Sequence, residues 1–244
     1  MLEDKNFCYL SEVFCSLQGE GVNTGIPQIF IRFAGCNLKC TYCDTTYSRS
    51  VSKNKCILFG NTLKNPIHLD KLIEAIDRKI RAGYEWISLT GGEPLLQHRF
   101  VENFVKKVKM EYKVHVQLET NGVHLAKIRD VLYLIDHIAV SFKKNATDME
   151  SLKEAISRFS DKLSLKIMIK RNTQEKEIAQ ILQFIKKVNH KVHLIFQPIS
   201  VKSKISKDNI EKAVKLYLSF RKEFEPYVSV FKVIPQMHKV WLMK

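Results

Sequence analysis

Apolar residues recur along the chain at two spacings that alternate in a regular way. Short apolar runs typical of buried strands are followed by stretches in which apolar residues return every three or four positions, as on one helix face. Strands are predicted at residues 12–17, 29–35, 86–90, 114–119, 137–141, 163–169, 192–196 and 228–233. Helices are predicted at residues 68–82, 100–108, 123–131, 152–159, 178–185 and 207–220.

This alternation predicts an α/β fold. Strands that alternate with helices form parallel sheets joined by right-handed crossovers. Six such units are enough for an open, partial (β/α)6 barrel, in which some helices are reduced or modified. The length of 244 residues suits a single domain over residues 1–244. The polar and glycine-rich motifs directly follow strands, so we expect them on the carboxyl-terminal face of the sheet, where ligands bind.

Local signals refine the ends of these elements. Gly83 is expected to end the first helix. Asn172-x-x-Glu175 has the form of a capping box, and Ser206 is expected to cap the last long helix. The stretch 47–66 is polar and irregular, which predicts an insertion or a mobile segment.

Composition narrows the classes of partner. The net charge of +15 permits nucleic-acid or acidic protein partners. No basic run carries interleaved aromatic residues, however, so we expect solvated lysines and no direct nucleic-acid binding. No apolar run reaches the length of a membrane span, and residues 1–6 lack the apolar core of a secretory signal. Together with six cysteines, this predicts a reducing, cytoplasmic location and metal chemistry, not disulfides.

Three of the cysteines form the most informative motif in the chain. Cys36, Cys40 and Cys43 have C-x3-C-x2-C spacing in a loop, residues 36–45, that follows a predicted strand. Thiolates suit both iron–sulfur clusters and zinc. Structural zinc usually takes four ligands, whereas a 4Fe–4S cluster on three thiolates leaves one iron open to a substrate or cofactor. The spacing favours the cluster, and zinc completed by a distant histidine is the alternative.

Two glycine-containing loops offer further candidate ligands. Gly91-Gly92-Glu93-Pro94 follows a strand; its glycines allow a close approach to a ligand, and Glu93 can accept hydrogen bonds from an ammonium group. Alone, this motif is more often an ordinary turn. Gln18 and Glu20 lie on a second loop with three glycines, which also suggests a nearby ligand.

In combination, these motifs resemble known families. The pairing of C-x3-C-x2-C with Gly91-Gly92-Glu93-Pro94 resembles the radical S-adenosylmethionine (SAM) superfamily. Further motifs, which extend to residue 239, resemble the 7-carboxy-7-deazaguanine synthase family within it. These motifs are Phe14-x-Ser16-x-Gln18-Gly19-Glu20-Gly21, Gly25-x-Pro27, Phe30-Ile31-Arg32, Gly35-Cys36-Asn37-Leu38, Cys43-Asp44-Thr45, Glu119-Thr120-Asn121-Gly122 and Pro235-Gln236-x-His238-Lys239.

The resemblance implies a reaction and its cofactors. In that family, SAM on a 4Fe–4S cluster yields a radical that takes hydrogen from C6 of 6-carboxy-5,6,7,8-tetrahydropterin. The ring contracts, ammonia leaves and 7-carboxy-7-deazaguanine forms, a step of the 7-deazapurine (queuosine) pathway. SAM is regenerated and Mg2+ bridges to the substrate. Because the cofactor carries the radical chemistry, we expect no catalytic protein side chain.

The same resemblance assigns roles to individual residues. Cluster ligands are Cys36, Cys40 and Cys43, and the Mg2+ ligand is Thr45. Substrate-binding residues are Gln18, Gly19, Glu20, Arg32, Thr90 and His238. SAM-binding residues are Gly91, Gly92, Glu93, Ser141, Lys143 and Gln197. Residues 14–27 would form a substrate loop, and residues 226–244 would close the site.

The expected partners are a pterin substrate, a second copy of the chain in a homodimer, and an electron donor such as a flavodoxin or ferredoxin. The basic net charge would help an acidic donor to dock.

Two other functions compete with this interpretation. A glycyl-radical-activating radical SAM enzyme shares the cysteine spacing but acts on a protein. A zinc-stabilised RNA-binding protein would account for three cysteines and the basic charge.

Overall fold

The computed structural model describes residues 3–51, 54–143, 146–200 and 204–243. The chain divides into two units. The first takes in residues 1–17, 26–120 and 124–138, and the second takes in residues 18–25, 121–123 and 139–244. Within the described ranges, none of the helices combines the length and the apolar content that crossing a membrane requires.

Among its described residues, the first unit holds eight strands and two α-helices. Its strands are β1 (Phe7–Cys8), β2 (Leu10–Leu17), β3 (Pro27–Phe33), β4 (Lys55–Leu58), β5 (Asn61–Lys64), β6 (Ile67–His68), β7 (Trp86–Gly91) and β8 (His115–Thr120). Its α-helices are α1 (Leu69–Arg81) and α2 (His98–Glu111), and short 3-10 helices lie at Thr46–Ser48, Pro94–Gln97 and Leu125–Leu134.

The sheet of the first unit is mixed and has the order β8-β7-β3-β2-β4-β5. Strands β3, β7 and β8 are parallel, and β2 is antiparallel to β3. Since the three parallel strands point the same way, their carboxyl ends meet at one edge of the sheet. Phe33, Gly91 and Thr120 end these strands, so the loops that follow them begin side by side.

The two helices of this unit form as their apolar spacing predicts. Helix α1 buries Leu69, Leu72, Ile73 and Ile76, and Gly83 after it has a positive φ of 98°. Helix α2 buries one apolar face against the unit's core. The buried stripe holds each helix on the sheet because the opposite face is charged and solvated.

The second unit continues the alternation of strand and helix. Its elements are β9 (His137–Ser141), which begins in the first unit, then α3 (Met149–Phe159), β10 (Leu163–Ile169), α4 (Glu175–Val188), β11 (Val192–Pro198), α5 (Lys207–Phe224), β12 (Val228–Val233) and α6 (Met237–Val240). The strand order is β12-β11-β10-β9, and β10, β11 and β12 are parallel. The predicted α/β fold is confirmed, since each unit combines helices with parallel strands. The assignment of one domain stays a prediction.

Three local predictions were wrong. Residues 47–66 are not irregular throughout, since β4 and β5 form a hairpin in which Cys56 and Leu58 are buried. The helix predicted at residues 123–131 is a 3-10 helix with non-helical dihedral angles at Ile128. Helix α4 is capped by Gln174, whose backbone N–H donates to Glu177 at 2.9 Å, so the capping box lies two residues beyond Asn172.

The cap predicted at Ser206 is confirmed. Its hydroxyl oxygen accepts from the backbone N–H of Asn209 at 3.3 Å. This contact satisfies one of the N–H groups that the first turn of a helix leaves without a partner. Helix α5 then extends to Phe224, four residues beyond the predicted end.

Asp136, just before β9, is expected to make stability depend on pH. Burial alone would raise the pKa of Asp136, but hydrogen bonds from Lys109 (2.6 Å) and the Val116 N–H (2.7 Å) lower it overall. A carboxyl group whose pKa is lowered on folding contributes stability above its unfolded pKa, and this is lost as pH falls. We expect Asp136→Asn to lower the free energy of unfolding by about 1–2 kcal/mol at pH 7. The difference should shrink below about pH 4.

Urea unfolding of the wild type and the variant at a series of pH values measures this difference. Asp130→Asn, at an exposed position of the same unit, serves as the matched control and should change little. A loss of stability at Asp136→Asn that is the same at every pH would contradict the ionic origin of the effect.

Candidate functional site

The cysteine loop is anchored by backbone contacts just beyond β3. The N–H of Gly35 donates to the Ser48 carbonyl at 2.8 Å, and the N–H of Cys36 donates to the Arg49 carbonyl at 3.0 Å. The Arg49 guanidinium in turn donates to the carbonyl of Cys40. These contacts fold the loop back on its own end and restrict the positions of the cysteines.

The three thiols are close enough to affect one another electrostatically. Burial raises the pKa of the Cys36 thiol, although the Leu38 N–H, 3.5 Å from its sulfur, lowers it. Negative charge on Glu93, Cys40 and Cys43 raises it further. Three neighbouring thiolates repel one another unless a cation lies among them. The donor set therefore fits a soft metal centre such as an iron–sulfur cluster.

The glycines after β7 serve close backbone packing. Gly91 has a positive φ of 116°. The N–H of Gly92 donates to the Phe33 carbonyl at 3.0 Å, and that of Glu93 donates to the Gly35 carbonyl at 2.7 Å. A Cβ on Gly91 would strike the Phe33 backbone, and one on Gly92 would strike the Gly35 carbonyl. The structure thus adds a reason for these glycines that the sequence analysis did not foresee.

Glu93 is fully buried and makes internal contacts. One of its carboxylate oxygens accepts from the Leu95 N–H at 3.1 Å and from the Thr120 hydroxyl at 2.7 Å. The side chain therefore caps the 3-10 helix that follows it and joins the end of β7 to the end of β8. Its predicted contact with the amino group of SAM stays a prediction.

Arg32 takes part in a partly buried ion pair. Its Nε donates to Glu12 at 2.9 Å, and the Tyr47 hydroxyl donates to the same carboxylate oxygen at 2.6 Å. Burial, opposed by the charge of Arg32 and reinforced by Glu12, raises the pKa of Tyr47 to about 12. The guanidinium also lies over the Phe14 ring, 5.3 Å from its centroid. A guanidinium has five N–H donors, and the bond to Glu12 uses one of them.

Thr90 lies at the end of a row of polar side chains. Its hydroxyl donates to Glu119 at 2.9 Å, and the amide of Gln117 donates to the other oxygen of that carboxylate at 2.9 Å. Gln28 lies 3.5 Å from Gln117. These side chains form a row of largely buried polar groups across β3, β7 and β8. Their mutual hydrogen bonds offset the free-energy cost of burying them.

In the second unit, the substrate loop predicted around Gln18 contacts the carboxyl-terminal segment. The side chain of Gln18 is 2% exposed, and its carbonyl oxygen accepts from the Glu20 N–H at 3.0 Å. The Gly19 carbonyl accepts from the Met237 N–H at 2.8 Å. A Cβ on Gly19 would strike His238. The structure therefore brings together the predicted residues Gln18, Gly19, Glu20 and His238.

Glu20 is held by two donors, neither of which the sequence identifies as its partner. Its two oxygens lie 2.7 Å from the Lys166 ammonium and 2.9 Å from the Gln236 amide nitrogen. Lys239 donates to Gln236 at 2.6 Å. A single lysine inside the otherwise largely apolar strand β10 was the available signal for Lys166.

The residues predicted to bind SAM in the second unit follow β9 and lie on β11. Ser141 ends β9, and the Lys143 N–H donates to the Thr147 hydroxyl at 2.8 Å. Gln197 is 2% exposed, and its side-chain oxygen has no hydrogen-bond partner among the described residues. A buried acceptor of this kind calls for a donor from a ligand or from water. The site therefore fits a ligand that carries amino or hydroxyl groups.

The remaining predicted residues lie in the first unit. Thr45 lies two residues after Cys43, and its hydroxyl lies 3.7 Å from the sulfur of that cysteine. Cys36, Cys40, Thr90 and the loop at residues 91–93 lie at or just after the carboxyl ends of β3 and β7, as predicted. Glu12, Tyr47, Glu119 and Lys166 are the charged or phenolic partners that sequence reasoning did not identify.

Comparisons with known proteins identify the family of this chain. A family model for the radical SAM superfamily matches residues 30–216. A 7-carboxy-7-deazaguanine synthase from Geobacter sulfurreducens is 32% identical, over 94% of this chain and 95% of the relative. One from Archaeoglobus fulgidus is 30% identical, over 94% of this chain and 96% of that protein.

A solved structure agrees in fold. The crystal structure of QueE from Escherichia coli gives a TM-score of 0.70 at 20% identity and covers 95% of each chain. The family model spans most of the chain, and the two relatives are matched over nearly their whole length. The chain therefore belongs to the radical SAM superfamily and, within it, to the 7-carboxy-7-deazaguanine synthase family.

Proposed function

We propose that the protein converts 6-carboxy-5,6,7,8-tetrahydropterin to 7-carboxy-7-deazaguanine, with ring contraction and loss of ammonia, in the 7-deazapurine (queuosine) pathway. The observation that carries this proposal is the similarity to a 7-carboxy-7-deazaguanine synthase over 94% of the chain. This similarity disfavours a glycyl-radical-activating enzyme. Membership of the radical SAM superfamily overturns the alternative of a zinc-stabilised RNA-binding protein.

The superfamily uses a 4Fe–4S cluster and SAM, and the chain has donors for both. We assign Cys36, Cys40 and Cys43 as the cluster ligands, which the thiol-rich loop supports. When bound, the cluster and SAM supply the electron and the carbon-centred radical that start the reaction. The protein's own residues bind and orient the reactants and keep water away from them.

Further roles are assigned within each unit. The residues that we assign to SAM binding are Gly91, Gly92 and Glu93 in the first unit, and Ser141, Lys143 and Gln197 in the second. The buried side-chain oxygen of Gln197, which lacks a partner among the described residues, supports its role. The residues that we assign to pterin binding are Arg32 and Thr90 in the first unit, and Gln18, Gly19, Glu20 and His238 in the second.

The chemistry of these side chains suits an anionic pterin. Arg32 offers charged N–H donors to a substrate carboxylate, and Glu20 offers acceptors to the N–H groups of a pterin ring. Thr45 offers a hard oxygen to Mg2+, which a substrate carboxylate and water would complete. No side chain in this set is required to act as a nucleophile or a general base.

We also propose an acidic flavodoxin or ferredoxin as the electron donor and a homodimer as the assembly. The net charge of +15 supports the first proposal, because a basic surface attracts an acidic partner. The homodimer is carried over from the family resemblance. The reducing, cytoplasmic location is likewise a proposal, which rests on the cysteine usage of the sequence.

Turnover by the anaerobically reconstituted protein tests the proposed reaction. With SAM, Mg2+, a reductant and 6-carboxytetrahydropterin, we expect 7-carboxy-7-deazaguanine by mass spectrometry. Cys40→Ala should abolish product and cluster absorbance, because the cluster would lose one of its three ligands. Cys56→Ala is the matched control: Cys56 lies on β4, outside both the cysteine loop and the predicted substrate loop, and its loss should leave both intact.

Two outcomes would contradict the proposal. Cleavage of SAM without the deazaguanine product would retain the superfamily and exclude the substrate. Full turnover by Cys40→Ala would exclude the assigned cluster ligands.

Replacing Thr45 tests the Mg2+ assignment. Thr45→Val keeps the shape of the side chain but removes its oxygen, so we expect the Mg2+ concentration for half-maximal rate to rise by about tenfold. Product formation over a series of Mg2+ concentrations measures this value. Thr46→Val, at the exposed neighbouring position, should leave it unchanged. Equal Mg2+ dependence in all three proteins would rule out Thr45 as a ligand.

A further inference from the structure

The carboxylate of Glu20 is held from two sides by residues distant in sequence. Lys166, on β10, lies 2.7 Å from one oxygen, and Gln236, before α6, lies 2.9 Å from the other. We propose that Lys166 and Gln236 are positioning residues, which orient Glu20 so that it accepts the two adjacent N–H groups on the pyrimidine edge of the pterin. This inference rests on the function proposed above.

The burial of Lys166 means that its ammonium group requires a partner. Its side chain is 3% exposed, whereas that of Glu20 is 17% exposed. A buried ammonium without a partner is strongly unfavourable, so the strand retains this lysine only with an acceptor nearby. Glu20 supplies that acceptor and keeps part of its surface open, as a group that also meets a ligand must.

Strand geometry puts Lys166 on the same face as a residue predicted to bind cofactor. Alternate residues of a strand share a face, so Ser164, Lys166 and Met168 lie on one side of β10. Met168 pairs with Gln197 of the parallel strand β11, and paired residues of neighbouring strands point the same way. Lys166 therefore lies on the face that carries the buried side-chain oxygen of Gln197.

The form of the Glu20 carboxylate matches the pterin edge. A carboxylate has two oxygens in one plane, each of which can accept more than one hydrogen bond. Lys166 contacts one of these oxygens and Gln236 contacts the other, so each oxygen has its own donor to orient it. The pyrimidine edge of a pterin presents a ring N–H and an amino N–H side by side. Fixing both oxygens therefore favours a paired contact over a single hydrogen bond.

The carboxyl-terminal segment extends this support. Lys239 donates to the Gln236 side-chain oxygen at 2.6 Å, which orients the amide so that its nitrogen faces Glu20. The Met237 N–H donates to the Gly19 carbonyl at 2.8 Å, one residue before Glu20. Backbone and side-chain contacts thus act on the same short stretch of the loop.

Steady-state kinetics of Lys166→Met and Gln236→Leu test the inference. We expect each variant to raise KM for the pterin by about tenfold or more, with a smaller change in kcat, because a misplaced acceptor weakens binding. Lys166→Arg, which keeps the charge, should recover part of the loss. Cluster absorbance and SAM affinity should stay at the wild-type level. Lys207→Met, at a lysine that is 89% exposed, is the matched control.

A double-variant cycle separates positioning from a general structural role. If Lys166 acts through Glu20, then Glu20→Gln combined with Lys166→Met should raise KM no further than Glu20→Gln alone. The same cycle with Gln236→Leu provides an independent test, since it removes a neutral side chain. If Lys166→Met does not fold, the cycle with Gln236→Leu decides whether the supporting contacts act through Glu20.

The outcomes that would overturn the inference are distinct from failure of the proposed function. An unchanged KM in both variants would overturn it, as would increases that multiply in the double variants. If the wild type forms no deazaguanine, the proposed function itself fails. A wild type that forms product, with variants that behave like Lys207→Met, rejects only the positioning roles.

Discussion

The close backbone approach between the loop after β7 and the end of β3 is the constraint on which the cysteine loop depends. Gly92 donates to Phe33, and Glu93 donates to Gly35, the residue before the first cysteine. Any side chain at Gly92 would displace the Gly35 carbonyl. The start of the cysteine loop and the Gly91–Glu93 loop are therefore packed against each other, so that neither can move without the other.

Three carboxylates, two in the first unit and one in the second, are each held by a neighbouring side-chain donor. Glu93 accepts from Thr120, Glu12 from Arg32 and Glu20 from Lys166. A buried ion pair adds little to stability on balance, because desolvation offsets the attraction. What such contacts do supply is a fixed orientation. A site that must present charged groups to a reactive intermediate benefits from groups that do not move.

How much of the fold and of the candidate site could be predicted depended on how far apart in the sequence the interacting residues lie. Strands β9, β10 and β12 have the predicted bounds because apolar runs define them locally. The hairpin of β4 and β5 was missed because each strand has four residues, and the two strands together bury only Cys56 and Leu58. The cap of α4 was misplaced because Asn172 and Gln174 both precede a glutamate by three residues. The cysteines and glycines were found through their spacing, which is a local signal.

The partners of the site residues were missed for the opposite reason. Lys166 is separated from Glu20 by 146 positions, and nothing in their spacing joins them. Each does, however, carry a signal in its own surroundings. A charged residue inside a strand of buried apolar residues must have a partner, because burial without one is too unfavourable to persist. Glu12 on β2 and Lys166 on β10 both meet this description, and both contact a residue assigned to the pterin. An isolated charge within an apolar strand thus points to the supporting contacts of a site, although only the fold identifies which residue it supports.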